Sequence, residues 1–504
     1  MESLAPVSST IRPPGTAPRA RHWLHATLLL AALALVSPTA VAGEQAERAI
    51  AAARKLVASG EVKPGTVLRL RAKQGNLVSL LGRDGELQRE WERLTGIPLD
   101  ASVMPQVDSM TFIRGRRDAD LTIARTHEFA DLDAAGLIVD LRPMLKRFGL
   151  RLQADEPEGY LLLDAQSRRG DKVLAIPADL DVAMLFLRRD LLESEDNRAR
   201  FRARYGRELA APTTWADYQR LAEFFHRPQD GFYGAGEPRE KHTAWMYWLP
   251  RYLSAIGGGP AFFDERMRPQ LLTAAGIAAT ESFVATVPYS PPQVLEEGKD
   301  FNYTLPLFLR GNTFSTILTV ATAKIANREG SAIRGRFIAA PMPGYIQQGK
   351  MQRSTAFIYG NNLVIPSSGS QPELAFLYAM WLTDPDNSLR SVTANGIADP
   401  YRHHHLRDEQ VRALYTPQAL DVMRDELRIV RPGGTGLPGD AEYMAALSNQ
   451  LWQAAAGRIT PREAMARTSR EWDTITDRFG RAAQIAHWRA LQQASARPAA
   501  TGRP

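Results

Sequence analysis

Apolar residues along this chain recur with two periods that trade places. GEQAERAIAAARKLVASG (43–60) spaces its apolar positions as a helix does, stops at Gly60 and runs into a Lys-Pro-Gly turn. TVLRLRA (66–72) alternates and predicts a strand ending at the loop KQGN. From Ser79 to Thr95, Leu80, Leu81, Leu87, Trp91 and Leu94 fall near the 3.6-residue period and predict a second helix, weakened at its start by Gly82 and Gly85. IPLDASVMP (97–105) and ADLTIAR (119–125) predict two further strands, the latter followed by a helical EFADLDAAG that stops at Gly136. Strands alternating with helices predict a largely parallel sheet in an α/β domain.

The pattern changes at Ile176–Leu192, IPADLDVAMLFLRRDLL. Its apolar run is too short to span a membrane and predicts a buried strand. From Asp190 to Gly330 helical spacing dominates; Thr214 offers a helix N-cap with Asp217 three residues on, and TAWMYWLPRYLSAIGGG (243–259) is rich in aromatics. Strand patterns return in FIAAPMP (337–343) and FIYGNNLVIP (357–366). Ser370 and Glu373 form a capping-box pattern ahead of the apolar helix ELAFLYAMWL, and Thr460 and Glu463 form a second. A chain that leaves one structural unit and comes back to it implies two interleaved lobes with several crossovers, and the cleft between such lobes is a natural place for a ligand. The expected boundaries are 43–65 for an N-terminal helix and turn, 66–176 with about 337–395 for the first lobe, and 177–336 with about 396–491 for the mostly helical second lobe. An Ala/Arg/Pro-rich tail, expected to be disordered, occupies 492–504.

Composition narrows the classes. The chain has 504 residues, 44% hydrophobic and 23% charged, which is ordinary globular make-up with ample material for cores. Its net charge of +7 is mild for this size, and its basic residues are spread out rather than interleaved with aromatics, so no nucleic-acid partner is expected. At the N-terminus Arg12, Arg19 and Arg21 precede the apolar run Ala26–Val36, and small residues stand at Ala40 and Ala42. That order is a secretory signal, residues 1–42, cleaved after Ala42. The chain has no cysteine, hence neither disulfides nor a lipid-modified cysteine at the cleavage site. The expected product is periplasmic, unanchored and monomeric.

The order of motifs resembles the extracellular solute-binding proteins of the carbohydrate-importer type (family 1), the periplasmic receptors of ABC transporters. Five stretches carry the resemblance: EWERLTGIPLDASVMP; DADLTIARTHEFADLDAAGLIVDLRPML; GDKVLAIPADLDVAMLFLRRDLL with APTTWADYQRLAEFF; FLRGNTFSTILTV with IRGRFIAAPMPG; and FIYGNNLVIPSSGSQPELAFLYAMWLTDPDN. It implies an α/β fold of two interleaved lobes joined by a multi-crossover hinge, with a small polyhydroxylated solute (sugar, polyol or relative) captured in the cleft and delivered to ABC permease subunits. Two departures fall near the expected pocket. Tyr359-Gly360-Asn361-Asn362 stands where the family usually has Gly-Gly-Trp, and Asn312, Thr313 and Phe314 replace small or apolar residues.

Several residues become candidates for binding. Pro177–Asp181 would be a crossover beside the cleft, where Asp179 and Asp181 could accept hydrogen bonds from hydroxyls or, alternatively, pair with arginines or cap a turn. Gln74 and Asn76 follow the first strand, and Arg125 and His127 end or follow the third; ligands of open α/β sheets bind beyond the carboxyl ends of strands. Trp245 and Trp248 share a helix face and could stack on a sugar ring or belong to the core. Asn361 and Asn362 interrupt an apolar strand, where polar groups cost stability unless paired. His403-His404-His405 cannot converge on one ion without further ligands, so a solvated loop is expected there, with no metal and no cofactor. No nucleophile elbow, phosphate loop or dinucleotide fingerprint is present, so no enzyme is expected. An exported carbohydrate hydrolase using paired carboxylates, and a ligand-sensing receptor on the same fold, are the alternative readings.

Overall fold

A computed structural model describes residues 43–496 except 106, 116–117, 156 and 357–359. The expected signal sequence (1–42), Tyr359 and the tail from 497 lie outside the described residues. Eight strands build the two principal sheets: β1 (Leu68–Ala72), β2 (Leu99–Val103), β3 (Leu121–Arg125), β4 (Ile176–Pro177), β5 (Met184–Arg188), β6 (Ser315–Leu318), β7 (Phe337–Ala340) and β8 (Asn361–Val364). The first lobe holds a five-stranded sheet in the order β2-β1-β3-β8-β4. β1 runs parallel to β2 and β3, while β8 is antiparallel to β3, pairing Asn361 with Arg125 and Leu363 with Ile123. The second lobe holds β6-β5-β7, antiparallel throughout.

β5 explains the apolar run in Ile176–Leu192. Side chains alternate across a strand. Met184 and Phe186 therefore enter one buried cluster, shared with Ile123 and Leu363, while Leu185 and Leu187 enter the other, with Trp215 and Trp248. Burying each such side chain contributes roughly 1.5–3 kcal/mol, so a one-residue slip of β5 would exchange both faces at once.

After β8 the chain continues in the first lobe as helix Pro372–Leu382, whose Tyr378 and Trp381 rings pack on Trp91 at 5.1 and 5.6 Å. Trp91 lies on helix Glu86–Thr95, between buried Leu87 and Thr95 at four-residue spacing.

Five expectations are corrected. Ser79–Thr95 is not one helix: Gln74–Leu81 and Glu86–Thr95 are separated by Gly82, Asp84 and Gly85, all at positive φ, which a continuous right-handed helix cannot contain. KQGN is accordingly not a loop, because Gln74 opens the first of these helices. β7 belongs to the second lobe, not the first, because it pairs with β5; the chain crosses back only before β8. Ser370 and Glu373 form no capping box. Asp120 at the head of β3 accepts instead from the Ser370 backbone (2.8 Å), its hydroxyl (3.0 Å) and the Gln371 backbone (3.1 Å), and Glu373 pairs with Arg147. Finally, the last helix, Arg481–Ala496, runs past Gln492 where the tail was expected to begin. The box at Thr460 and Glu463 is present, with both reciprocal hydrogen bonds.

Candidate functional site

Three passages of chain join the two sheets, and the polar residues concentrate where they meet. The first, Ala178–Ala183, links β4 to β5. The second arrives at β8 through Gly360, whose φ of 65° suits glycine. The third, 394–408, leaves helix Pro385–Thr393, packed on helix Gln74–Leu81, and reaches helix Glu409–Tyr415, packed on helix Ala321–Ala326 of the second lobe. A side chain at Gly396 would place its Cβ 2.1 Å from the Ser79 hydroxyl, so only glycine lets the third passage lie this close to the first lobe.

Asp179, Asp181 and Asp399 meet at this junction, 2, 6 and 0% exposed. Asp179 accepts from the amides of Asn76 (3.3 Å) and Asn361 (3.4 Å) and from the backbones of Leu180 (3.0 Å) and Asp399 (2.8 Å). Asp181 accepts from the Gly360 backbone at 2.9 Å, so it ties the first passage to the second. Burial pushes all three carboxyls up, and the charge of Asp181 adds to it at both Asp179 and Asp399. Buried Lys324 donates to the Val392 carbonyl at 2.6 Å and is held down to about 8 by burial, against the pull of Asp399 and Asp179. One oxygen from each of the three aspartates lies within 4.8 Å of the others, the only such grouping of potential metal ligands among the described residues.

A second group spans the lobes. The His127 ring, in the turn after β3, meets Trp245 of helix Ala244–Ala255 edge to face at 5.3 Å. Burial lowers His127 to about 4, so its imidazole is neutral near pH 7. Beside it Lys73, at the end of β1, is lowered to about 8, first by burial and then by Arg125, while Asp300 of the second lobe favours its charge. Gln74, next along, is exposed.

The candidates therefore divide. Asn76, Asn361, Asp179 and Asp181 converge at the junction; Arg125 ends β3, with His127 and Trp245 beyond it. Asn362 points elsewhere than Asn361, as alternation requires, and its amide donates to Gly360 at 3.1 Å. Trp248 is corrected: its indole donates to Thr280 at 3.0 Å and stacks on Tyr252 at 4.7 Å, making it core. Thr313 and Phe314 are likewise core, Phe314 stacking on Phe225 at 4.0 Å. The histidine run is no solvated loop: His405 is buried, with Nε2 at 2.9 Å from Ser388 and Nδ1 accepting from the Tyr401 backbone at 3.3 Å. Asp179 and Asp181 stand in irregular chain ahead of β5, not on it. Sequence reasoning missed Asp399 and Lys73. Asp399 had one usable signal, its place before a proline in the third passage, and Lys73 had its position at a strand end.

Comparison with known proteins gives a consistent result. The profile of the family described as bacterial extracellular solute-binding protein matches residues 87–388. A solute-binding protein of an ABC transporter from Agrobacterium radiobacter K84, solved with ribitol, superposes with a TM-score of 0.68 at 19% identity, covering 82% of this chain and 99% of its own. Maltose-bound MalE3 of T. maritima superposes at 0.65 with 18% identity, covering 82% and 100%. A solute-binding protein from Agrobacterium vitis S4 with bound D-mannitol superposes at 0.64 with 17% identity, covering 82% and 99%. Among curated proteins no sequence matches.

Proposed function

Because the chain belongs to the family of bacterial extracellular solute-binding proteins, we propose that it is the receptor of an ABC importer for a small polyhydroxylated solute, a sugar, a polyol or a close relative. The observation that carries this reading is the meeting of His127 and Trp245 across the lobes, beside Lys73 and Arg125 at adjacent strand ends. Trp245 is buried in this structure; on opening of the lobes it would present an aromatic ring beside a neutral imidazole and flanking cations, a surface that both packs on C–H faces and hydrogen-bonds hydroxyls. Solute held by both lobes favours the closed arrangement by its differential affinity for it, and the closed receptor is what a permease would meet. The polyols and sugars held by similarly folded proteins support that solute class. The order of basic residues, apolar run and small residues in 1–42 supports export of the receptor.

The hydrolase reading loses ground to the same geometry. A glycosidase needs its two carboxylates on opposite sides of the scissile bond, whereas Asp179 and Asp181 face each other and Asp399 in a buried cluster. Tryptophan fluorescence tests the proposal. A sugar or polyol should change the emission saturably, and His127→Ala should raise the apparent Kd at least about tenfold, the effect of losing one well-placed hydrogen bond. Emission unmoved by every sugar, polyol and sugar acid would refute it.

A further inference from the structure

Two of the three carboxylates at the junction accept from backbone or amide N–H groups; Asp399 has, among the described residues, only the Thr319 hydroxyl and the Asp181 carboxyl as polar side-chain neighbours. Both of its side-chain oxygens are fully buried and neither accepts a well-formed hydrogen bond among the described residues, a state that is costly for a charged group. The Thr319 hydroxyl beside it favours the ionised forms of Asp399 and Asp181. Against three carboxylates the cluster sets one buried ammonium, that of Lys324, so the ionised set lacks a divalent positive charge. The donor chemistry is uniform, with oxygen throughout and no imidazole or thiolate, which suits a hard cation. Its depth suits one ion better than another. Magnesium demands near-ideal octahedral geometry and gives up its waters reluctantly, whereas calcium accepts irregular sites built from protein oxygens; the three carboxylates are buried, with an oxygen from each within 4.8 Å of the others.

We propose that Asp179, Asp181 and Asp399 form a binding site for a divalent, oxygen-preferring cation, calcium in preference to magnesium, which ties the first inter-lobe passage to the third. Asp181 and Asp399 supply the oxygens least committed to protein donors, and Asp179, oriented by Asn76 and Asn361, closes the set. The ion would sit at the hinge rather than at the His127–Trp245 surface, so the inference stands apart from the identity of the solute.

The test uses the purified protein with no sugar present. After removal of metals with EDTA, the protein is dialysed against calcium, magnesium, manganese or zinc, its metal content is measured by plasma mass spectrometry, and its thermal midpoint is followed against calcium concentration. One equivalent of calcium should be retained, and the midpoint should climb with the logarithm of its concentration. Asp399→Asn should retain none and show no climb. A protein that retains no calcium and whose midpoint ignores it overturns the proposal, as does a preference for zinc or an Asp399→Asn protein that still holds the ion. If Asp399→Asn fails to fold, the wild-type stoichiometry and an Asp181→Asn variant decide the matter in the same way.

Discussion

The second lobe and the junction between the lobes each bury a cluster of charged side chains, and the two clusters are built on opposite principles. In the second lobe Glu237 lies between Arg239 and Arg251, at 3.0 and 2.9 Å, all three fully buried, with Arg251 also over the Trp215 ring at 4.0 Å. Burial works against the charge of Glu237, yet the two guanidiniums hold its carboxyl below the usual range. At the junction Asp179, Asp181 and Asp399 are as deeply buried, but their nearest charges are one another, and all three are pushed up. The first cluster fixes a core. The second, left with unbalanced charge where three passages cross, has the makings of a site. Burial alone therefore separates nothing; the sign of the neighbours does.

The largest effect should come from breaking the balanced cluster. Glu237→Ala strands two buried guanidiniums and should cost about 3–5 kcal/mol in denaturant unfolding. A cost near zero would remove the contrast. Asp120 is an intermediate case, a buried carboxylate held by N–H and O–H donors. Asp120→Ala leaves the Ser370, Gln371 and Arg69 backbones without their acceptor and should cost about 2–3 kcal/mol. Asp399→Asn, measured in EDTA, should fall within about 1 kcal/mol of wild type or be more stable, since it removes one of three like charges. If it costs as much as Glu237→Ala, the junction is an ordinary structural network.

At neutral pH the smallest effect is that of His127, which shows only on acidification. His127 is lowered from 6.5 to about 4 by burial, so the unfolded chain binds the proton more readily than the folded one. The stability this contributes is present above about 6.5 and lost as pH falls through about 4. His127→Gln should flatten the wild-type stability profile between those values and leave it unchanged above pH 7. A parallel pair of profiles would show that His127 is not buried as described.

Much of this was legible in the chain because periodicity records burial. β1, β2, β3, β5, β7 and β8 all fall inside stretches whose alternation or apolarity predicts them, and the Thr460 box is where its pattern places it. The misses have physical causes. Ser370 loses its capping role to Asp120, a residue 250 positions away, because a fixed carboxylate on a strand end is the better acceptor. Trp245 and Trp248 share a helix and a residue type, and only the packing of Tyr252 and Thr280 around Trp248 tells them apart. Asp399 joins Asp179 across 220 residues, and no local pattern encodes such a meeting. β7 changed lobes for the same reason: a strand pattern states that a segment pairs, not with what.

Thermal unfolding of the purified protein against a panel of sugars, polyols and sugar acids tests the central claim most directly. The account expects at least one compound to raise the midpoint with concentration, with the rise abolished in Trp245→Ala and kept in Trp248→Phe. A well-folded sample whose midpoint no compound moves, or a rise that survives Trp245→Ala, would contradict it.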